Sequence, residues 1–506
     1  MIPLFLPQQV QAMDQRAFDR GVDPAALMNT AAHHLARGVL SLAPYRHGLR
    51  VALLCGKGNN GADGIAAARH LDDRGVSATV VLVTDPTDLG TDGARELATW
   101  RARFGRVRLA GDRAALDRAV ESADIVVDCL LGTGATGAPR GIYAQAIGAM
   151  NDAECPVVAC DIPTGVDGGS GAVPGEAVRA DLTVTLGAWK RGLVLPPGMW
   201  HVSHTVLGDL DVIDQQADPV AQMLQACDLP ALAPPAEDGG DKRGNGVVTI
   251  YAGSPGMSGA AVLCARAALA AGAGLVTVAT SATAAAVVAT SVPEAMTVTV
   301  PDDRDGIVEA ITAQLAKADV LVMGPGLGLA PATQEAVRRL VATVEVPIVL
   351  DADGLNAFRD HAEELAAHAS TMLVMTPHSR EFDRLAGQDE DQTDTEARPD
   401  RTAHFARKWR ATVVAKGPGS VIAGPDGRVW INPTGGPALA TGGTGDVLSG
   451  VTGTLVASRP DPSSVAAAVY LHGLAGDLAQ GDGSARPVTA MGVVDHLGAA
   501  TTELGI

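Results

Sequence analysis

Short unbroken apolar runs recur along this chain. Each is followed by a longer stretch in which apolar residues return every three or four positions. Runs that do not alternate in and out read as strands buried on both faces, and the longer stretches read as amphipathic helices covering them. In the first part of the chain this pattern predicts strands at 51–55, 78–83, 125–129, 157–161 and 182–186, with helices over 65–72 and 112–122 among the segments between them. In the second part it predicts strands at 247–252, 275–279, 320–323, 348–351, 372–375 and 412–415. Gly424-Pro-Asp-Gly427, set between 421–422 and 429–431, predicts a hairpin turn. Strands alternating with helices imply parallel sheets, hence an α/β architecture repeated twice. The seam is expected at 216–246, where Leu232-Ala-Pro-Pro-Ala-Glu-Asp-Gly-Gly240 breaks the pattern. That places one domain over 1–215 and a second over 228–504. The acidic stretch 389–401 reads as a surface loop.

Composition narrows this picture. The 506 residues suit two large domains, and with 47% hydrophobic but only 3% aromatic residues the cores must be built from Ala, Val and Leu. A net charge of −19 without a basic block argues against a nucleic-acid surface, while a nucleotide ligand needs only a local anion cradle. Cys55, Cys129, Cys155, Cys160, Cys227 and Cys264 form no CxxC pair and fall mostly in apolar runs, as expected of reduced thiols in a cytoplasmic protein. The first six residues lack the charge and apolar length of a signal peptide, and no apolar run is long enough for a membrane span.

The densest chemistry lies at Thr441-Gly-Gly-Thr-Gly-Asp446, directly before an apolar-periodic run. Glycines opening a helix let backbone N–H groups converge on an anion, with the helix dipole adding partial positive charge. Asp446 in the first turn stands where it can take a proton from a hydroxyl beside that anion, the pairing phosphoryl transfer needs. Four further motifs follow predicted strands. Gly324-Pro-Gly-Leu-Gly328 permits close backbone approach. Asp351-Ala-Asp-Gly-Leu-Asn356 has the oxygen donors for a hydrated magnesium ion. Thr376-Pro-His378 precedes Glu381, which reads equally as a helix-start residue or a catalytic one. Lys416-Gly-Pro-Gly-Ser420 can cradle phosphates. Ligands on such sheets bind beyond the carboxyl ends of the strands, so these loops should share one edge.

In the first part, Cys55-Gly-Lys-Gly-Asn-Asn-Gly-Ala-Asp-Gly64 joins a strand to a helix and offers amide groups to a phosphate and an Asn60 oxygen to a hard cation. Asp128 is followed by Gly132-Thr-Gly-Ala-Thr-Gly137, and Asp161-Ile-Pro-Thr164 ends another strand. Each alone reads as readily as a turn or a cap; three on one edge point to a site.

Taken in order, Lys242-Arg-Gly, Ala252 to Ala261, Gly324 to Gly328, Asp351-Ala-Asp, Thr376-Pro-His378, Lys416-Gly and Thr441 to Asp446 resemble the NAD(P)H-hydrate dehydratases of the ribokinase-like superfamily. The resemblance implies substrate contacts from Ala261, Gly326, His378 and Asp446. It also implies nucleotide contacts from Lys416, Gly417, Pro418, Gly419, Ser420 and Gly445. The first part, including Leu6 to Asp14, is similar to NAD(P)H-hydrate epimerase domains with a Rossmann-like three-layer fold. That likeness places the hydrated dinucleotide on Asn59, Asn60, Gly61, Ala62 and Asp63, on Gly132, Thr133, Gly134, Ala135, Thr136, Gly137 and Ala138, and on Asp161. It implies potassium at Asn60, Asp128 and Thr164, and proton transfer by Asp161. The fused order is that of the bifunctional NAD(P)H-hydrate repair enzymes, which implies hydrated NADH and NADPH as substrates and ADP or ATP as phosphoryl donor. A homo-oligomer is expected. Two other readings stay open on the residues: a vitamin-type kinase in the second part, or a first part that binds without catalysing.

Overall fold

The computed structural model of the chain describes residues 1–43, 45, 47–233, 241–387, 397–481 and 486–506. The middle of the predicted seam (234–240) and most of the acidic stretch (389–396) lie outside the described residues. The remainder of that stretch is not a loop: helix Arg398–Trp409 starts there, with Pro399 at its N-terminus, where a missing N–H is harmless.

The chain forms two compact units, Pro3–Val220 and Ala221–Ile506, with Met1–Ile2 grouped with the latter. In the first, seven parallel strands lie in the order Arg106–Leu109, Ser77–Leu82, Arg50–Cys55, Ile125–Cys129, Val157–Cys160, Ala180–Leu186, Val202–Gly208. Strand order reverses direction between Arg50–Cys55 and Ile125–Cys129, so the loops leaving these two strands part and open a crevice. Helices Pro24–Ser41 and Asn59–Asp72 pack on one face of the sheet, and Arg113–Glu121 and Ile142–Asn151 on the other, each face sealed mainly by Ala, Val, Leu and Ile. Short strand Ile2–Phe5 runs parallel to Trp189–Lys190, with Leu4 opposite Trp189 and Phe5 opposite Lys190.

The second unit holds strands in the order Met296–Thr299, Leu275–Thr280, Val247–Tyr251, Val320–Met323, Ile348–Leu350, Leu373–Met375, Thr412–Ala415, all parallel. Val421–Ala423 and Val429–Ile431 follow as the predicted antiparallel hairpin, and Ala221–Met223 adds in parallel beside Val429–Ile431. Its switch point lies between Val247–Tyr251 and Val320–Met323. Helices Ser258–Ala270, Thr444–Ser458, Pro462–Gln480 and Ala490–Leu504 contribute to a core of Ala, Val and Leu. No described helix is long and apolar enough to cross a membrane.

All six cysteines are free thiols. Cys55, Cys129 and Cys160 end three neighbouring strands and are fully buried, as is Cys264 in the second unit; Cys155 is half-buried and Cys227 exposed.

Candidate functional sites

In the second unit the glycine turn is built as expected. Helix Thr444–Ser458 starts one residue before Gly445, and Gly443 precedes it in the left-handed region (φ +93°), a conformation that favours glycine. Thr444 fixes the turn by donating its hydroxyl to the Leu439 and Thr441 carbonyls, both at 2.9 Å. From the neighbouring helix, His472 contributes a second tie, its Nε2 lying 2.9 Å from the Thr444 carbonyl oxygen. Burial pushes this imidazole down to about 4, so it is neutral and its Nε2–H donates. Nothing in the sequence pattern singled out His472.

Asp446 projects from the first turn, and its carboxylate has no hydrogen bond among the described residues. Burial and the neighbouring Asp351 push its pKa up to about 6, against a smaller pull from Lys416. A partly desolvated, unpaired carboxylate titrating near neutrality has the properties of a general base. Lys416 lies beside it. Its ammonium donates to Asp351 Oδ1 at 2.8 Å, while Ser449 donates to Asp351 Oδ2 at 2.7 Å. Burial alone would raise the Asp351 pKa, but the Lys416 charge and these hydrogen bonds hold it low. Both Asp351 oxygens thus face protein donors, and Asp353 accepts from Gly328 N–H and Asn356 Nδ2. The Asp351-Ala-Asp segment is therefore first a structural brace between strand ends.

His378 is brought next to Lys416 by an isolated parallel bridge. Its Nδ1 accepts from the N–H groups of Arg380 and Glu381, and Glu381 Oε2 accepts from His378 N–H. This is a reciprocal helix cap, which gives Glu381 the helix-start role. The Lys416 to Ser420 turn is closed by Ser420 Oγ on the Gly417 carbonyl at 2.8 Å and held from outside by Arg398, which donates to the Pro418 carbonyl at 2.7 Å and to the Gly419 carbonyl. These groups face a cavity of about 540 Å³ lined by His378, Lys416, Ser420, Asn432, Gly445 and His472 among others. Gly326 sits at the switch point, where Ser254 Oγ bonds its carbonyl at 2.9 Å and a Cβ would lie 2.8 Å from Ala260 Cβ. Ala261 is fully buried in the core, so its side chain presents no surface to a ligand.

In the first unit, helix Asn59–Asp72 begins inside the glycine-rich loop, earlier than the predicted 65–72. Asn59 opens it. Gly61 and Ala62 are packing positions: a Cβ on Gly61 would overlap the Gly56 carbonyl oxygen, and Ala62 is buried. Asp63, facing Asp161 and Asp14, is raised well above the usual carboxylate range, chiefly by burial. Gly132 to Ala138 form the loop after Ile125–Cys129, with Gly132 against Asn60 and a cavity of about 180 Å³ beneath Gly132, Ala135 and Gly137.

Asn60 is buried, and neither its amide oxygen nor its nitrogen has a hydrogen-bond partner. Asp128 is fully buried and has no ion pair with a side chain among the described residues; it accepts from Thr164 N–H (2.8 Å), Thr164 Oγ1 (2.7 Å) and Leu130 N–H (3.1 Å), and burial still pushes it up to about 6. An orphaned amide oxygen and a buried carboxylate lacking a counter-ion are oxygen donors that fit a monovalent cation.

Asp161 ends strand Val157–Cys160 in the left-handed region (φ +68°). That backbone is strained for a non-glycine residue, and its carboxylate is gripped by Lys190 and accepts from Leu186 N–H at 3.1 Å. Lys190 is only 1% exposed and also donates to the Leu186 carbonyl at 2.5 Å and to Thr185 Oγ1 at 3.3 Å. Lys190 escaped the sequence reading because the residue lies well after Asp161, beyond any local motif.

The fold and the two sites define a two-part α/β enzyme, each unit built on a mainly parallel sheet with its reactive groups at the strand ends. Residues 24–192 match the family model described as YjeF-related protein N-terminus, and 248–496 match that of NAD(P)H-hydrate dehydratase. A bifunctional NAD(P)H-hydrate repair enzyme from Moorella thermoacetica is 38% identical over 88% of this chain and 86% of its own length. One from Salinibacter ruber is 35% identical over 99% and 96%. Among solved structures, the ADP/ATP-dependent NAD(P)H-hydrate dehydratase of Bacillus subtilis, co-crystallised with ATP and Mg2+, is 28% identical, covers 56% of this chain and 99% of its own, and gives a TM-score of 0.48. The chain belongs to the bifunctional NAD(P)H-hydrate repair enzymes.

Proposed function

We propose that residues 1–215 interconvert the two epimers of hydrated NADH and NADPH and that residues 228–504 dehydrate one of them at the expense of a nucleotide. The observation that carries this reading is the Asp446 carboxylate, unpaired and partly buried at the mouth of a glycine-opened helix. Water added to the nicotinamide ring leaves a hydroxyl on the carbon beside the ring nitrogen, and hydroxide is a poor leaving group. Asp446 takes the hydroxyl proton as the oxygen attacks the terminal phosphoryl of the donor. The Gly445 turn and the loop from Lys416 to Ser420 hold phosphoryl oxygens. The ring nitrogen's lone pair then expels phosphate, the adjacent carbon loses a proton, and the reduced cofactor is restored. With ADP as donor the products are AMP and phosphate. Magnesium, when bound, neutralises phosphate charge.

In the first domain Asp161 acts as the proton-transfer group. Asn59 to Asp63 and Gly132 to Ala138 hold the dinucleotide. Potassium would be held by Asn60, Asp128 and Thr164, supplying the charge the buried Asp128 lacks. The free thiols suit a cytoplasmic location, and a homo-oligomer is the expected assembly.

Incubating the protein with mixed hydrate epimers, with ADP and ATP in separate reactions, and following reduced-cofactor absorbance tests the whole scheme. Complete conversion of both epimers is expected. Nucleotide consumption that yields a stable phosphate ester and no reduced cofactor would instead establish a kinase.

A further inference from the structure

The carboxyl group of Asp14 stands out because nothing in the fold accounts for it. Helix Pro7–Asp19 packs Val10, Met13 and Ala17 onto Ala188 and Val212. Strand Ile2–Phe5, which precedes the helix, pairs with Trp189–Lys190. The helix is thereby anchored next to Lys190, and Asp14 lies on it between Met13 and Ala17, with an Oδ1 that is buried and has no hydrogen-bond partner. Lys190 does not satisfy it: its donors are already directed to Asp161, Leu186 and Thr185. A buried, unpartnered carboxyl oxygen costs stability. The charged groups facing Asp14 are Lys190, Asp161 and Asp63. Burial is the largest influence on Asp14 and raises its pKa to about 6; Lys190 pulls it down and Asp161 pushes it up by smaller amounts. Asp161, gripped by Lys190, is the member of the pair suited to carry charge.

Resting on the epimerase reading above, we infer that Asp14 is the second proton-transfer residue of the first domain, a general acid that works opposite the base Asp161 while Lys190 positions Asp161. The hydrate is a cyclic hemiaminal, and its carbon can be inverted by opening the ring. Asp161 takes the hydroxyl proton and the oxygen becomes an aldehyde. The carbon–nitrogen bond breaks with its electron pair going to the ring nitrogen, which receives the proton of Asp14. Rotation about the adjacent carbon–carbon bond presents the other face of the aldehyde. Closure then runs the same steps backwards, returning the nitrogen's proton to Asp14 and the proton of Asp161 to oxygen. No oxidant or co-substrate is consumed. One carboxylate and one carboxylic acid in adjacent but different environments are the pair such a reaction requires.

The test uses the full chain without any nucleotide, so that dehydration is idle, with one purified hydrate epimer. Appearance of the other epimer is followed by chromatography from about pH 5 to about pH 9 and corrected for the spontaneous rate. The unmutated protein should lose rate at high pH as Asp14 loses its proton, and this alkaline limb is the feature tested. Asp14→Asn should lower kcat by about 10²-fold or more with little change in KM and should remove the alkaline limb. Asp14→Glu should restore part of the rate and the limb. If Asp161→Asn is inactive while Asp14→Asn keeps the parental rate and limb, the inference is overturned and the epimerase reading stands. If both variants equilibrate the epimers as fast as the parent, the reading itself fails and takes the inference with it. A parental profile with no alkaline limb overturns the inference even if Asp14→Asn does not fold.

Discussion

Asp446 and Lys416 belong to one cluster of charges in which the proposed chemistry and stability pull in opposite senses. The Asp446 pKa is raised in the folded chain from 3.8 to about 6, so folding favours its protonated form. Stability therefore falls as pH rises from about 4 to about 6 and stays at the lower level above that. As the proposed base, Asp446 must be charged, so turnover should rise through about pH 6. Asp446→Asn should abolish dehydration, with a loss of about 10²–10⁴-fold or more, while raising stability at neutral pH by about 1–3 kcal/mol. Steady-state kinetics and thermal unfolding of the same sample check both halves of this statement; near-parental turnover would reduce Asp446 to a helix-start acid. Lys416 behaves differently because it neutralises the buried Asp351. Lys416→Ala should weaken donor use and also destabilise the fold by about 3–5 kcal/mol, since it strands a buried carboxylate. Urea titration beside nucleotide-dependence curves separates the two effects. Full donor affinity in a destabilised variant would leave Lys416 as a counter-ion only.

The elements separate glycines that packing demands from those that packing leaves free. Gly61 lies where a methyl group would run into the Gly56 backbone, so Gly61→Ala should destabilise the first unit by about 1–3 kcal/mol, read as a lowered unfolding midpoint. At Gly445 the nearest atoms to an added Cβ are Lys416 Nζ at 3.5 Å and Asp351 Oδ2 at 3.7 Å, ordinary contacts. Gly445→Ala should thus leave the fold as stable or add about 0.5–1 kcal/mol of helix propensity, yet reduce donor-dependent turnover. The contrast bears on how much the sequence could disclose. Strand runs such as 125–129 and 320–323 were legible to the residue, because a doubly buried parallel strand is a continuous apolar run. Helix Asn59–Asp72 was legible only from Ile65 onward, since its first turn is written in asparagine and glycine, the vocabulary of loops. Strand-end carboxylates and the glycine turn were visible as motifs. Lys190 in the first unit and His472 and Arg398 in the second were not, because each reaches its own candidate site from a separate element and is defined only by tertiary packing.

For the molecule as a whole, two units with separate cores, each proposed to carry its own reactive carboxylate, should fail separately. With Asp161→Ala the preferred epimer should still be consumed quickly, and the other should decline only at its spontaneous rate. Potassium should hasten loss of the slow epimer in the unmutated protein, and its removal should leave dehydration of the preferred epimer untouched. Equal consumption of both epimers by Asp161→Ala would favour a first part that binds without catalysing. The six thiols offer an independent view of the same division. Their distribution makes the chain a recorder of its own opening: an alkylating reagent meets Cys227 at once, whereas Cys55, Cys129 and Cys160 become reachable only when the first core loosens, and Cys264 only when the second does. The order in which mass tags accumulate on peptides carrying these residues would therefore date the breathing of each half, in an untouched protein and without any catalytic assay.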